Sequence, residues 1–193
     1  MNLILGTITM IHIRNYQKKY RKTTIKISDI LIKDKVTLLL GKNGSGKSTL
    51  LKSIAGLLKF DGIIDNKDTT SYMSEYIELP KGILLIDLLQ GILSIEEYNE
   101  VFLQDLLVKL KLNDYLLEYV SEFSKGMKCK VNLLLCLTIN RDYYLLDEPL
   151  SGLDEESIKV LINVIKQSKK SFVITSHIKG IFEDIVEGVV YLC

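Results

Sequence analysis

The chain switches between two hydrophobic periods, and the switches mark its elements. Thr7 to Ile13 and Thr24 to Ile32 alternate polar and apolar residues, the period-two pattern of half-buried strands. Val36 to Leu40 is instead a continuous apolar run ending at Gly41, as expected of a central strand covered on both faces. Lys47 to Leu58 then carries Leu50, Leu51, Ile54, Leu57 and Leu58 at the spacing of one buried helical face. From Ile83 to Leu117, Leu and Ile recur with a period near that of a helix and break at Asn113-Asp114, so the middle third is predicted to be mostly helical. Beyond Phe123 the pattern predicts a helix over Gly126 to Thr138, a buried strand over Tyr143 to Asp147, a helix over Asp154 to Gln167 and a strand over Phe172 to Thr175. Strands alternating with helices imply an α/β chain built on a mainly parallel sheet.

At 193 residues and 47% apolar content the chain can bury one substantial core, so a single domain over 1–193 is expected. The 25 Lys and Arg nearly balance the 24 Asp and Glu, which removes any global attraction to nucleic acid or an anionic membrane. Cys129, Cys136 and Cys193 make neither an even disulfide set nor a CxxC pair. Cys129 and Cys136 fall two helical turns apart, too far to bridge, so unpaired thiols in a reducing compartment are expected. No apolar run approaches the ~20 residues of a membrane-spanning helix, and a soluble chain is expected. The apolar start has no basic residue before Arg14 and no small-residue cleavage site, a poor signal peptide, and Met10 is an alternative start.

Two segments carry chemistry. Gly41-Lys42-Asn43-Gly44-Ser45-Gly46-Lys47-Ser48 fits GxxxxGKS between a buried strand and a helix. Its glycines let backbone wrap phosphate oxygens, the helix N-terminus offers N–H donors, Lys47 neutralises β and γ charge, and Ser48 is a Mg²⁺ ligand. Thr49 extends the same hydroxyl-bearing turn. Tyr143-Tyr144-Leu145-Leu146-Asp147-Glu148 is an apolar strand ending in two acids at the sheet edge where ligands collect. Asp147 is expected to hold Mg²⁺ and Glu148 to polarise a water attacking the γ-phosphate, the alternative being a solvated strand end before Pro149. His177, just past the strand Phe172 to Thr175, is placed to contact the same phosphate, or is an ordinary surface or core histidine.

With these motifs in order, the chain resembles the ABC-transporter (ATP-binding cassette) ATPases over nearly its whole length. Phe123-Ser124-Lys125-Gly126-Met127 stands where that family has its LSGGQ signature, departing at three of five positions but keeping Ser124 and Gly126, and is similar to the SKGM variant of bacterial exporter ATPases. Ser151-Gly152-Leu153-Asp154 matches the D-loop. Glu75 stands where most members carry the Q-loop glutamine, which leaves its Mg²⁺ contact open. Family members stack an aromatic ring on adenine. Tyr20 is at the better spacing before Gly41 and Tyr16 is the second choice, and either is alternatively a half-buried strand tyrosine.

The resemblance implies a P-loop NTPase fold with an N-terminal antiparallel β region and a helical subdomain inserted at roughly 76–125. It implies binding and hydrolysis of ATP with Mg²⁺, and a separately encoded integral membrane permease docking around Glu75 to Leu93. It also implies a head-to-tail dimer in which Ser124 and Gly126 of one copy close the ATP site held by Gly41 to Thr49 of the other. Such a subunit works in the cytoplasm, peripheral on the inner face of the membrane, and export is favoured over import by FSKGM and Glu75. The competing reading is a soluble ABC-type ATPase of DNA repair or ribosome function. It is disfavoured by the lack of a long coiled coil, a second cassette or a basic stripe, so no nucleic-acid partner is expected. A nucleotide sensor without hydrolysis ranks last, since Lys47 and Glu148 are both present. Relatives usually continue past Val189 to Cys193, and a regulatory extension is expected to be absent.

Overall fold

In the computed structural model, residues 10–65, 70–176 and 180–192 are described. Among them, β1 (Ile11–Lys19), β2 (Thr24–Ile32) and β4 (Asp61–Ile64) form an antiparallel sheet in the order β2-β1-β4. Strands β3 (Val36–Gly41), β5 (Thr70–Met73), β6 (Tyr143–Asp147), β7 (Ser171–Thr175) and β8 (Gly188–Leu192) form a parallel sheet in the order β5-β6-β7-β3-β8. The helices are α1 (Lys47–Ile54), α2 (Leu85–Leu93), α3 (Glu100–Lys109), α4 (Lys125–Thr138) and α5 (Glu155–Gln167). The fold is that of a P-loop NTPase, with the parallel sheet, the antiparallel region and the helices that the sequence led us to expect.

The continuous apolar runs are explained by a sheet buried on both faces. In β3, β6 and β7, alternate residues enter two different clusters. Leu38, Leu40, Tyr144, Leu146, Phe172 and Ile174 face α2 to α5, whereas Leu39, Tyr143, Leu145 and Val173 face α1 and the antiparallel sheet. The apolar stripes of α2 and α3 join the first cluster through Leu85, Leu89, Leu103 and Leu106, so the helical segment is packed onto the sheet.

Several boundaries differ from the pattern. The first strand runs on to Lys19; the part predicted before Met10 lies outside the described residues. The helix after the glycine loop stops at Ile54, because Gly56 turns the chain with φ of 73° and leaves Leu57 61% exposed. Helix α3 ends at Lys109, ahead of Asn113-Asp114, where Lys111 takes a φ of 57°. The strands β4 and β5, of four residues each, are too short for periodicity to reveal them, and β8 is a further strand that the pattern does not mark. No helix among the described residues is long and apolar enough to cross a membrane.

Cys129 and Cys136 are free, buried thiols on α4. Ser71 Oγ on β5 donates to Cys136 O at 2.9 Å and approaches its sulfur at 3.4 Å. Burial pushes the Cys136 thiol up from 9.0 to about 12, against a small lowering by Ser71. An acid whose folded pKa is raised contributes stability that is intact below its unfolded pKa and declines as pH rises to the folded one. The stability advantage of the wild type over Cys136→Ala should therefore shrink as pH rises from about 9 towards about 12, as urea unfolding at stepped pH will show.

Candidate functional site

Four parallel strands end on one edge, and the motif residues collect there. Gly41 closes β3 and opens the loop to α1. A Cβ at Gly41 would lie 2.4 Å from Ser45 Oγ and 2.6 Å from Leu192 O, and one at Gly46 would lie 2.8 Å from Ile25. Gly44 and Gly46 take φ values of 82° and 101°, which L side chains adopt only with strain. Gly46 is the N-cap of α1 and provides no side-chain cap, so the first-turn N–H groups face the loop for an anion to satisfy. Lys47 is buried, and its Nζ donates to Gly41 O at 2.8 Å and Lys42 O at 3.3 Å. Ser45 Oγ is buried without a hydrogen-bond partner among the described residues. This is a concave cradle of donors that suits phosphate.

At its foot lies Asp147, only 2% exposed. Its Oδ1 accepts from Ser48 Oγ and from Thr175 Oγ1, both at 2.9 Å, and its Oδ2 accepts from the Tyr72 hydroxyl at 3.0 Å. The same Thr175 Oγ1 accepts the Glu148 N–H at 2.8 Å. Asp147 and Thr175 are register partners on β6 and β7, which explains why one threonine serves both acids. Glu148 has a φ of 49°, uncommon for a residue with a side chain and a known mark of functional sites. A hydroxyl beside a carboxylate is the hard oxygen set that Mg²⁺ prefers, so Ser48 and Asp147 fit that ion.

Above the cradle is a cleft of about 530 Å³ whose lining includes Tyr20, Asn43, Lys47, Thr49, Glu75 and Glu148. Tyr20 is 47% exposed, with its hydroxyl 3.1 Å from Thr49 Oγ1. Tyr16 is 1% exposed, bonded to Ser53 at 2.9 Å and packed on Phe60, so the second choice for adenine is a core residue instead. A groove of about 480 Å³ elsewhere, floored by Leu137, Tyr144 and Phe172, has no glycine loop or paired acids and does not suit phosphate.

Ser124 and Gly126 do not line the cleft. Ser124 caps α4 by accepting the Met127 N–H at 3.2 Å, and a Cβ on Gly126 would sit 3.2 Å from Gly152 O. Cys129 donates to Ser151 O at 3.3 Å, and Lys130 pairs with Asp154 at 2.6 Å. Asn132 Nδ2 donates to Ser74 O at 2.7 Å. The helix after the signature is thus tied to both the D-loop and the segment before Glu75. His177 lies outside the described residues.

The sequence matches the ABC transporter family over residues 26–151. The chain belongs to that family. It is 32% identical to the uncharacterized ABC transporter ATP-binding protein YybJ of Bacillus subtilis, over 92% of this chain and 88% of the relative. It is 29% identical to the lantibiotic transport ATP-binding protein SrtF of Streptococcus pyogenes, over 95% and 86%. A solved ATP-binding subunit of an ABC transporter superposes with a TM-score of 0.83 at 25% identity, covering 95% of this chain and 86% of that one. Relatives of the same identity to this ABC subunit also include one named for import.

Neither Tyr72 nor Thr175 stands out in the sequence as a site residue. Their roles follow from register, which brings the end of β7 and the penultimate residue of β5 beside the acid-tipped strand. Tyr16→Phe should cost about 1 kcal/mol of stability through its bond to Ser53 and leave ATP affinity unchanged, as denaturant melts and nucleotide titration will read.

Proposed function

We propose that this ABC subunit is the ATP-hydrolysing motor of an exporter, working with a separately encoded membrane permease. The observation that carries the reading is the junction of Ser48 and Asp147 at the foot of the glycine cradle, with Glu148 lining the cleft above. Gly41 to Thr49 would wrap the phosphates, with Asn43, Gly44, Ser45 and Gly46 presenting backbone and Lys47 exchanging its carbonyl partners for phosphate oxygens. Mg²⁺, when bound, would supply positive charge against the phosphate oxygens, and Ser48 and Asp147 would hold it, with Glu75, which also lines the cleft, as a further candidate ligand. Glu148 orients the attacking water and accepts its proton, and His177, two positions past Thr175 in sequence, is assigned to the γ-phosphate. Tyr20 would stack on adenine.

Ser124 and Gly126 stand outside the cleft of their own chain, which supports their use on the ATP of a second copy in a closed two-fold sandwich. The segment at roughly 76–125 is read as an inserted helical subdomain within one domain, its Glu75 to Leu93 part meeting the permease at the inner face of the membrane. Export is favoured by FSKGM and by Glu75.

Phosphate release by Glu148→Gln should fall at least about 100-fold while ATP still binds, and sedimentation with ATP should then show a dimer. Equal rates in both proteins would remove Glu148 from the mechanism. Tyr20→Ala should weaken ATP binding about tenfold, measured by nucleotide titration. A pull-down of tagged Glu148→Gln from solubilised membranes should bring down a polytopic membrane protein.

A further inference from the structure

We infer that Tyr72 is a positioning residue: its hydroxyl, donated to Asp147 Oδ2, sets the orientation of the carboxylate that receives the metal ion of bound nucleotide. The inference rests on the ATP-site reading above and adds to it a residue from a strand that carries no phosphate motif.

Tyr72 pairs with Leu145 across the parallel β5-β6 ladder, two residues before Asp147, and residues two apart on a strand share a face. Tyr72 packs with the cluster formed by α1 and the antiparallel sheet, the side that also presents Ser48. Its ring therefore runs along the sheet beneath the site and its hydroxyl reaches the carboxylate at 3.0 Å.

A carboxylate offers about four lone-pair positions. In Asp147, Ser48 and Thr175 take two on Oδ1 and Tyr72 takes one on Oδ2. Ser48 is itself a metal ligand in the reading above, so its bond to Asp147 must change when metal arrives. Thr175 and Tyr72 do not have to let go. They grip opposite oxygens from opposite neighbouring strands, and together they fix the rotation of the carboxyl plane. Thr175 alone leaves it free to turn about its Oδ1.

Asn132 Nδ2 on α4 holds Ser74 O, two residues along, which keeps this end of β5 from shifting. Partners that orient a metal ligand commonly contribute 10- to 100-fold in metal affinity.

The experiment compares ATP affinity in EDTA and in saturating Mg²⁺ for the wild type, Tyr72→Phe and Tyr144→Phe, with melting curves for each. Tyr144 is the control: its hydroxyl also leaves a strand of this sheet, but it donates to Ile139 O away from the cradle. Tyr72→Phe should match the wild type within about twofold in EDTA and bind about tenfold more weakly with Mg²⁺, while Tyr144→Phe keeps both affinities. A merely structural role for Tyr72 would weaken both conditions equally and would overturn the inference, as would an undiminished response to Mg²⁺. If the wild type itself gains nothing from Mg²⁺, the reading of Ser48 and Asp147 as the metal site fails first. Should Tyr72→Phe not fold, Tyr72→Met removes the same hydroxyl and carries the same expectations.

Discussion

A single carboxylate, Asp147, is 2% exposed, and a buried charge must be met by hydrogen-bond donors or it costs several kcal/mol. Three hydroxyls meet it: Ser48 from α1, Thr175 from β7 and Tyr72 from β5. These elements lie far apart in the chain. They can converge on two oxygen atoms only if β5, β6 and β7 run parallel in that order and α1 crosses the same face. The sheet order and the placement of the first helix thus satisfy one electrostatic requirement at the same time as they bury both sheet faces.

The two sheets share a core beside this site. Ile25 on β2 lies so close to Gly46 that a side chain there would collide with it, so the antiparallel sheet packs against the phosphate loop at the edge of the cleft. Tyr16 on β1 anchors α1 through Ser53, and Tyr20 at the end of the same region projects into the cleft. One hairpin therefore supplies both a structural tyrosine and a cleft tyrosine: both hydroxyls reach α1, at Ser53 and Thr49, but Tyr16 lies within β1 and is buried whereas Tyr20 lies just past its end and is 47% exposed.

The signature region is braced differently. Helix α4 is joined to the D-loop by Cys129 and Lys130 and to the end of β5 by Asn132. Lys130 and the N–H of Ser157 hold the Asp154 carboxyl well below the usual range, and the carboxylate caps the N-terminus of α5. Three side chains thus link α4 to the D-loop and to the segment before Glu75.

Local rules were enough for what depends on neighbours in sequence. The run Val36 to Leu40, the acid-tipped strand Tyr143 to Asp147, the glycine loop and the helices at Lys125 to Thr138 and Glu155 to Gln167 all follow from periodicity, capping and glycine geometry. With the motifs in order, they sufficed to identify the family. Tertiary structure decided which of two tyrosines faces the cleft, since Tyr16 and Tyr20 have the same chemistry and differ only in packing. It alone revealed Thr175 and Tyr72, because a strand-end hydroxyl acquires a role only when a neighbouring strand of the right register brings a carboxylate to it. Register between strands 70 and more residues apart is set by the packing of both sheet faces, and no local pattern encodes it.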